Sequence, residues 1–381
     1  MNSKERARAA IARESVDHVP LGFYAVDHDT VEAVIGRPTY VRNKINIQIA
    51  LWEGRRDEVA ESLKADTVDF YRAIDLCDII LPKEAQLLPP RGYVPEDPPK
   101  RISDDEWQGS DGRVWKAVRH ANEIACIHDP RPPKAEWTVS EFEGEVSAEP
   151  PDESVFEVFD HVWNEFRDER YICSPFGGMT AMTLLGGTEN GLMMFALQPE
   201  VIHAANRQRV ARQNLLDEFY VREGAPAVIL EQDMGGTNGP LVSPGMFREL
   251  CFPYLKERIT NLKKRVGQVI MHNCGRTFVL MEMFIEAGVD CYQSLQSTAG
   301  MEVGLLKERY GDRLSFWGGV GVEKLIGGEP EDVREDVRTA MERGAPGGGF
   351  ILGPSHSIAK NTKYENFRAM LDEYDRLKDK F

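Results

Sequence analysis

A chain of 381 residues accommodates one large α/β barrel or two medium domains. Its 42% hydrophobic and 28% charged residues are ordinary for a folded protein, and a net charge of −16 argues against a nucleic-acid binder, which needs a basic patch. No apolar run is long enough to span a bilayer, and no apolar signal core follows Met1-Asn2-Ser3-Lys4-Glu5-Arg6, so the expected location is cytoplasmic with no membrane partner. The cysteines at 77, 126, 173, 251, 274 and 291 lack framework spacing and read as thiols in that compartment.

Residues 2–13 read as a short amphipathic helix with Ala7, Ala10 and Ile11 on one face. A turn from Asp17 leads into a first strand ending near Phe23. Residues 45–64 read as helix, and Thr67-Val68-Asp69-Phe70 as a second strand. The segment 80–150 is rich in Pro, Gly and charge, with a hairpin-like stretch from Trp107 to Trp115 and loops at 130–133 and 145–152. It is expected to be an insertion covering one end of a single barrel domain. From residue 152 helices alternate with strands: 152–168 then Tyr171-Ile172-Cys173, 189–197 and 199–222 then 227–231, 244–265 then 269–271. The rhythm continues with 277–287 then 290–292, 301–310 then 314–319, 330–343 then 349–352, and a last helix 363–378. Strands alternating with crossover helices imply a parallel sheet, and about eight such units predict a (β/α)8 TIM barrel.

In such a barrel the active site lies at the C-terminal ends of the strands. His272-Asn273-Cys274-Gly275 follows the apolar run Val269-Ile270-Met271. An imidazole and a thiolate two residues apart can point the same way from a strand end, and the pair suits zinc. His-x-Cys by itself is a weak motif. Glu231, one strand unit earlier, and His356, beyond the last strand, add O and N donors at matching ends. Glu231, His272, Cys274 and His356 are thus the expected metal ligands, against the alternative of a satisfied polar residue and a small buried thiol. Asp233 shares a strand face with Glu231 and reads as a catalytic or substrate contact, or equally as a loop cap. Asp27 and His28 are a candidate catalytic pair, with a loop cap again the competing role. Phe23, Tyr24, Phe70, Tyr71, Phe176 and Trp317, together with Met179 and Gln293, are candidate substrate-lining residues or ordinary core. The glycine pairs at 177–178, 186–187 and 235–236 match no P-loop or dinucleotide fingerprint.

Several segments carry a resemblance. The opening Ser3-Lys4-Glu5-Arg6 with Asp17-His18-Val19-Pro20, the run Gly239-Pro240-Leu241-Val242-Ser243-Pro244 with Met246-Phe247-Arg248-Glu249 and Pro253-Tyr254, and the His272 motif all contribute. Glu286-Ala287-Gly288-Val289-Asp290, Trp317-Gly318-Gly319-Val320 and the stretch Gly348 to His356 with Glu365-Asn366 complete the pattern. Together they resemble the uroporphyrinogen decarboxylase superfamily, in particular its cobalamin-dependent methyltransferase branch. The decarboxylases grip substrate carboxylates with an arginine-rich motif after the first strand. Here that place reads Leu21-Gly22-Phe23-Tyr24-Ala25-Val26-Asp27, without arginine, which points away from porphyrinogen decarboxylation.

The resemblance also implies chemistry. Thiol-methylating members use His-x-Cys and a second Cys near the last strand, where this chain has His356. Replacing a thiolate by a neutral imidazole makes the centre one charge more positive and a better Lewis acid toward a weak oxygen ligand. That favours O-demethylation of an aryl methyl ether, with the methyl group passed to cobalt(I) of a separate corrinoid protein. No Asp-x-His-x-x-Gly corrinoid motif occurs in the chain, so cobalamin is expected on the partner. The other readings are a methylcobalamin:thiol methyltransferase, a metal-free lyase, and a binding protein without turnover. A homodimer is compatible with each.

Overall fold

Strand residues in this chain alternate between two destinations. Ala227, Ile229, Ile270, Cys291, Trp317 and Ile351 share one buried cluster. Their neighbours Val228, Leu230, Val269, Met271, Tyr292, Phe316, Phe350 and Leu352 share another. Alternation with both faces buried is expected of a parallel barrel, which fills its interior with side chains and packs helices outside.

The computed structural model describes residues 1–83, 88–132, 134 and 136–381, and its strands close into that ring. Ala227–Glu231, Gln268–His272, Cys291–Gln293, Ser315–Val320 and Phe350–Pro354 pair in chain order, all parallel. Leu352 pairs with Leu21, and Gly22 with Ile79. Ile79–Ile80 pairs with Tyr171–Ile172, and Cys173 with Ala227, which completes a barrel of eight parallel segments. Helix Ser3–Ile11, started by an Asn2–Glu5 capping box, sends Ala7, Ala10 and Ile11 into the inner cluster. Gln268, the first residue of its strand, donates to the Arg8 carbonyl at 3.0 Å, so this helix plugs the N-terminal end and leaves the C-terminal end as the mouth.

Three sequence expectations are corrected. Thr67-Val68-Asp69-Phe70 is not a strand but part of helix Arg56–Ala73, where Thr67, Phe70 and Tyr71 are buried at i, i+3 and i+4, the helical period. The second barrel segment is Ile79–Ile80 instead. The helix expected over 45–64 is two helices, Lys44–Trp52 and Arg56–Ala73, separated where Gly54 takes φ +74°. The stretch 244–265 likewise divides into Pro244–Leu250 and Phe252–Leu262. Pro253 cannot donate to the carbonyl four residues earlier.

Within the 80–150 segment, Lys100–Arg101, Glu106–Gln108, Val114–Val118 and Glu123–His128 form an antiparallel meander. Pro133, at the end of one expected loop, lies outside the described residues. The meander rests on one face of helix Lys44–Trp52: Ile45, Ile49 and Trp52 pack with Trp107, Trp115, Ala117 and Ile124. The adjoining face, Lys44, Ile47, Gln48 and Leu51 at i, i+3, i+4 and i+7, lines a cavity at the barrel mouth. Among the described residues no helix is long and apolar enough to cross a membrane.

Candidate metal centre and adjoining cavity

Parallel register sets three strand ends in a row, with Glu231 opposite His272 and His272 opposite Gln293. Strand alternation aims all three inward. His272 is buried and its Nδ1 bonds the Gln293 side-chain oxygen, which leaves Nε2 facing Cys274 Sγ at 3.4 Å. His356, two residues past Phe350–Pro354, brings its ring edge-on to His272 with centroids 5.6 Å apart. One donor atom each from His272, Cys274 and His356 lies within 4.8 Å of the others. Tetrahedral zinc with Zn–N of about 2.1 Å and Zn–S of about 2.3 Å puts N and S about 3.6 Å apart, so this donor set fits the ion. The contact that fixes the His272 tautomer is the usual outer support of a metal-binding imidazole.

The loop carrying Cys274 is held from several sides. The Cys274 amide donates to Asp233 Oδ1 at 2.9 Å, Asn273 Oδ1 accepts from the Met234 amide at 3.0 Å, and Tyr292 donates to the Asn273 carbonyl at 2.8 Å. Gly275, at φ +79°, passes so close to Gly235 that a Cβ would stand 2.4 Å from the Gly235 oxygen. Ser294, a non-glycine residue at φ +89°, places its hydroxyl 3.5 Å from Cys274 Sγ and donates to the Ser355 carbonyl beside His356 at 2.7 Å. A side chain held in that backbone region is a cost commonly found at functional sites.

Burial governs the protonation of the cluster. It pushes His272 down to about 3 against the opposing Gln293 hydrogen bond, and it lowers His356 as well. It pushes the Cys274 thiol up to about 12. Near neutral pH the metal-free cluster therefore presents two neutral imidazoles and a protonated thiol.

Glu231 is not in the three-residue cluster. Its carboxylate pairs with Lys83, which also donates to the Tyr24 hydroxyl at 3.1 Å. Tyr24 stacks flat on His272, with centroids 3.7 Å apart and planes 5° apart. Tyr24, Lys83 and Glu231 thus connect the cluster to a cavity of about 600 Å³, lined on its apolar side by Ile47, Leu51, Leu81, Phe176, Met179 and Ile229.

Of the expected lining residues, Phe176 and Met179 face this cavity. Phe23 points outward onto Phe367. Trp317 fills the barrel interior, fully buried, and donates to the Gly22 carbonyl at 3.1 Å. Phe70 and Tyr71 sit behind the Leu81–Lys83 wall on their helix, and Gln293 supports His272. Asp27 is engaged by Arg42 Nε at 3.0 Å and by the Lys360 amide at 2.9 Å, so it anchors two mouth loops, while His28 begins helix His28–Ile35. Sequence reasoning missed Arg42, Lys44, Ile47, Gln48, Leu51 and Lys83. The spacing of 44, 47, 48 and 51 is the signal that could have found four of them.

A cationic contribution to the mouth, not visible after the first strand, comes instead from Arg42, Lys44 and Lys83 on later segments. The uroporphyrinogen decarboxylase (URO-D) family pattern matches residues 155–377, from the helix before Tyr171–Ile172 to the last helix. A uroporphyrinogen decarboxylase from Methylibium petroleiphilum is 28% identical over 160 residues, and the match spans 40% of this chain and 40% of that protein. A methyltransferase from Methanosarcina mazei has the same fold, with a TM-score of 0.64 and 16% identity over 99% of both chains. More than half of the chain, including every residue of the metal cluster, lies within the family match, and the chain belongs to the uroporphyrinogen decarboxylase family.

Proposed function

We propose that this chain is a zinc-dependent methyltransferase that moves the methyl group of a methoxylated aromatic compound to the cobalt(I) of a separate corrinoid protein. The observation that carries the reading is the convergence of His272, Cys274 and His356 at the mouth of a methyltransferase-like barrel. His272, Cys274 and His356 would hold zinc, which when bound supplies Lewis acidity to an ether oxygen as the methyl–oxygen bond breaks. One thiolate with two neutral imidazoles leaves that centre one charge more positive than a two-thiolate set, which suits a phenolate leaving group. Gln293 keeps the His272 proton on Nδ1, and Tyr24 restrains the ring by stacking. Ile47, Leu51, Phe176 and Met179 offer apolar walls for an aromatic ring. Glu231 is engaged by Lys83, so the substrate oxygen would be the further donor beside the three ligands.

The test is zinc content together with methyl transfer. The purified chain should retain about one zinc after loosely bound metal is removed. With zinc, a cobalt(I) corrinoid protein and methoxybenzoates, the cobalt absorbance should shift to that of methylcobalt. Cys274→Ala should lose both the zinc and the transfer. Full retention of both in that variant would refute the reading.

A further inference from the structure

We propose that Ser294 is a positioning residue of the metal centre, its hydroxyl supporting the sulfur of Cys274 once that sulfur binds metal as a thiolate. This rests on the reading of His272, Cys274 and His356 as a metal site, and not on methyl transfer. Among the described residues five non-glycine positions have positive φ. Arg13, Arg42, Asn122 and Asn361 lie between 51° and 70°, inside the left-handed helical well. Ser294, at 89°, lies beyond it. Glycine adopts such a backbone at no steric cost, and a side chain does not. Strain of this kind persists where the surroundings over-determine it. The Ser294 side chain is buried, and its two hydrogen-bond contacts both fall within the metal centre.

The hydroxyl joins two ligand-bearing loops. It stands 3.5 Å from Cys274 Sγ and donates to the carbonyl of Ser355, the residue before His356, at 2.7 Å. Ser355 is a fixed anchor, because its amide donates to the Val320 carbonyl at 2.6 Å and its own hydroxyl accepts from the Val322 amide at 3.1 Å. Gln293, the last residue of strand Cys291–Gln293, holds His272, so the pair Gln293-Ser294 reaches all three ligand segments. A serine hydroxyl has one proton to give and two lone pairs to accept with. A Cys274 thiol can donate into Oγ while Oγ donates on to Ser355. A metal-bound thiolate has no proton and can only accept. Rotation about the Cβ–Oγ bond then turns the Ser294 proton from the neutral carbonyl to the charged sulfur, without moving a heavy atom. Hydrogen bonds to charged acceptors are the stronger kind. The new bond stabilises the thiolate, draws electron density from it, and so keeps the metal a stronger Lewis acid.

Ser294→Ala and Ser294→Gly in the full chain, with cobalt(II) as a coloured probe in the zinc site, test this. Both variants remove the hydroxyl, but alanine keeps the strain at positive φ and glycine relieves it. Without the hydrogen bond the sulfur is richer in electrons, so the thiolate-to-cobalt(II) charge-transfer band should move to longer wavelength in both. Chelator competition should show zinc affinity reduced about 10- to 100-fold in both, even though Ser294→Gly melts at the higher temperature of the two. A purely structural role makes a different forecast, in which metal affinity follows melting temperature and Ser294→Gly keeps the parent band and affinity. That outcome, or parent-like behaviour in both variants, would overturn the proposal. Should the alanine variant fail to fold, Ser294→Gly decides by itself. A parent chain that holds neither metal would overturn the proposal and the zinc reading together. Shifted bands and weakened affinity in a chain whose zinc form transfers no methyl group to a corrinoid protein would sustain the proposal and sink the methyltransferase reading alone.

Discussion

Cys274 is the residue whose chemistry a metal changes most. Burial holds its thiol up near 12, while His272 is held down near 3 and His356 is also lowered. The sign of the pH dependence follows. Between about pH 7 and pH 9 the imidazoles carry no proton to displace and the thiol carries one, so zinc binding releases a single proton. Apparent zinc affinity should rise by about one log unit per pH unit across that window and fall as the solution is acidified. Chelator competition at several pH values measures the slope, and a slope near zero would mean that Cys274 is not a ligand. Gln293 acts through His272 alone. Gln293→Leu should preserve the fold and lower zinc affinity about 10- to 100-fold, the usual cost of removing the partner that orients a ligating imidazole. Unchanged affinity in that variant would show that the Nδ1 contact does not set the tautomer. At this scale the His272-Asn273-Cys274-Gly275 motif was readable because both donors sit at the end of one strand. Glu231 also sits at a strand end, but its partner Lys83 lies far away in the chain and could not be foreseen.

The elements position these residues through close backbone contact as well as side chains. The loops after Ala227–Glu231 and Gln268–His272 touch at Gly235 and Gly275, where the amide of Arg276 donates to the Gly236 carbonyl at 2.8 Å. Gly275→Ala adds a Cβ facing a backbone oxygen and strains a left-handed φ, so the loop must shift and carry Cys274 with it. The variant should fold with an intact helix signal, lose tight zinc binding, and melt at a lower temperature than the parent. Wild-type zinc affinity in Gly275→Ala would show that the close approach does not position the ligand. The helices show where local pattern misled. Thr67-Val68-Asp69-Phe70 has strand-like composition, yet helix Arg56–Ala73 buries Thr67, Phe70 and Tyr71 on one face. Ile79–Ile80 is too short for periodicity to reveal, and only pairing on both sides defines it.

Across the whole molecule a buried ion pair ties the mouth to the outer helices. Arg258 and Asp217 are fully buried. Arg258 Nη2 donates to the Gly178 carbonyl at 2.8 Å, and Asp217 Oδ1 accepts from the Gly177 amide at 2.8 Å. The pair thereby fixes the loop that presents Phe176 and Met179. Asp217→Ala strands a buried guanidinium and should destabilise the chain by about 3–5 kcal/mol in urea unfolding. A loss below about 1 kcal/mol would indicate that water replaces the carboxylate. The alternation of strands and helices from residue 152 onward made the barrel legible, because burial on two faces imposes its period on the residues themselves. The His-x-Cys motif and His356 were legible for a related reason, since strand ends in a parallel barrel all open on one mouth. Folding alone decided which donors converge, that Trp317 packs the interior, and that Lys44 and Lys83 meet Phe176 in one cavity. Those are contacts between segments distant along the chain, and nothing in the local pattern of either segment encodes its partner.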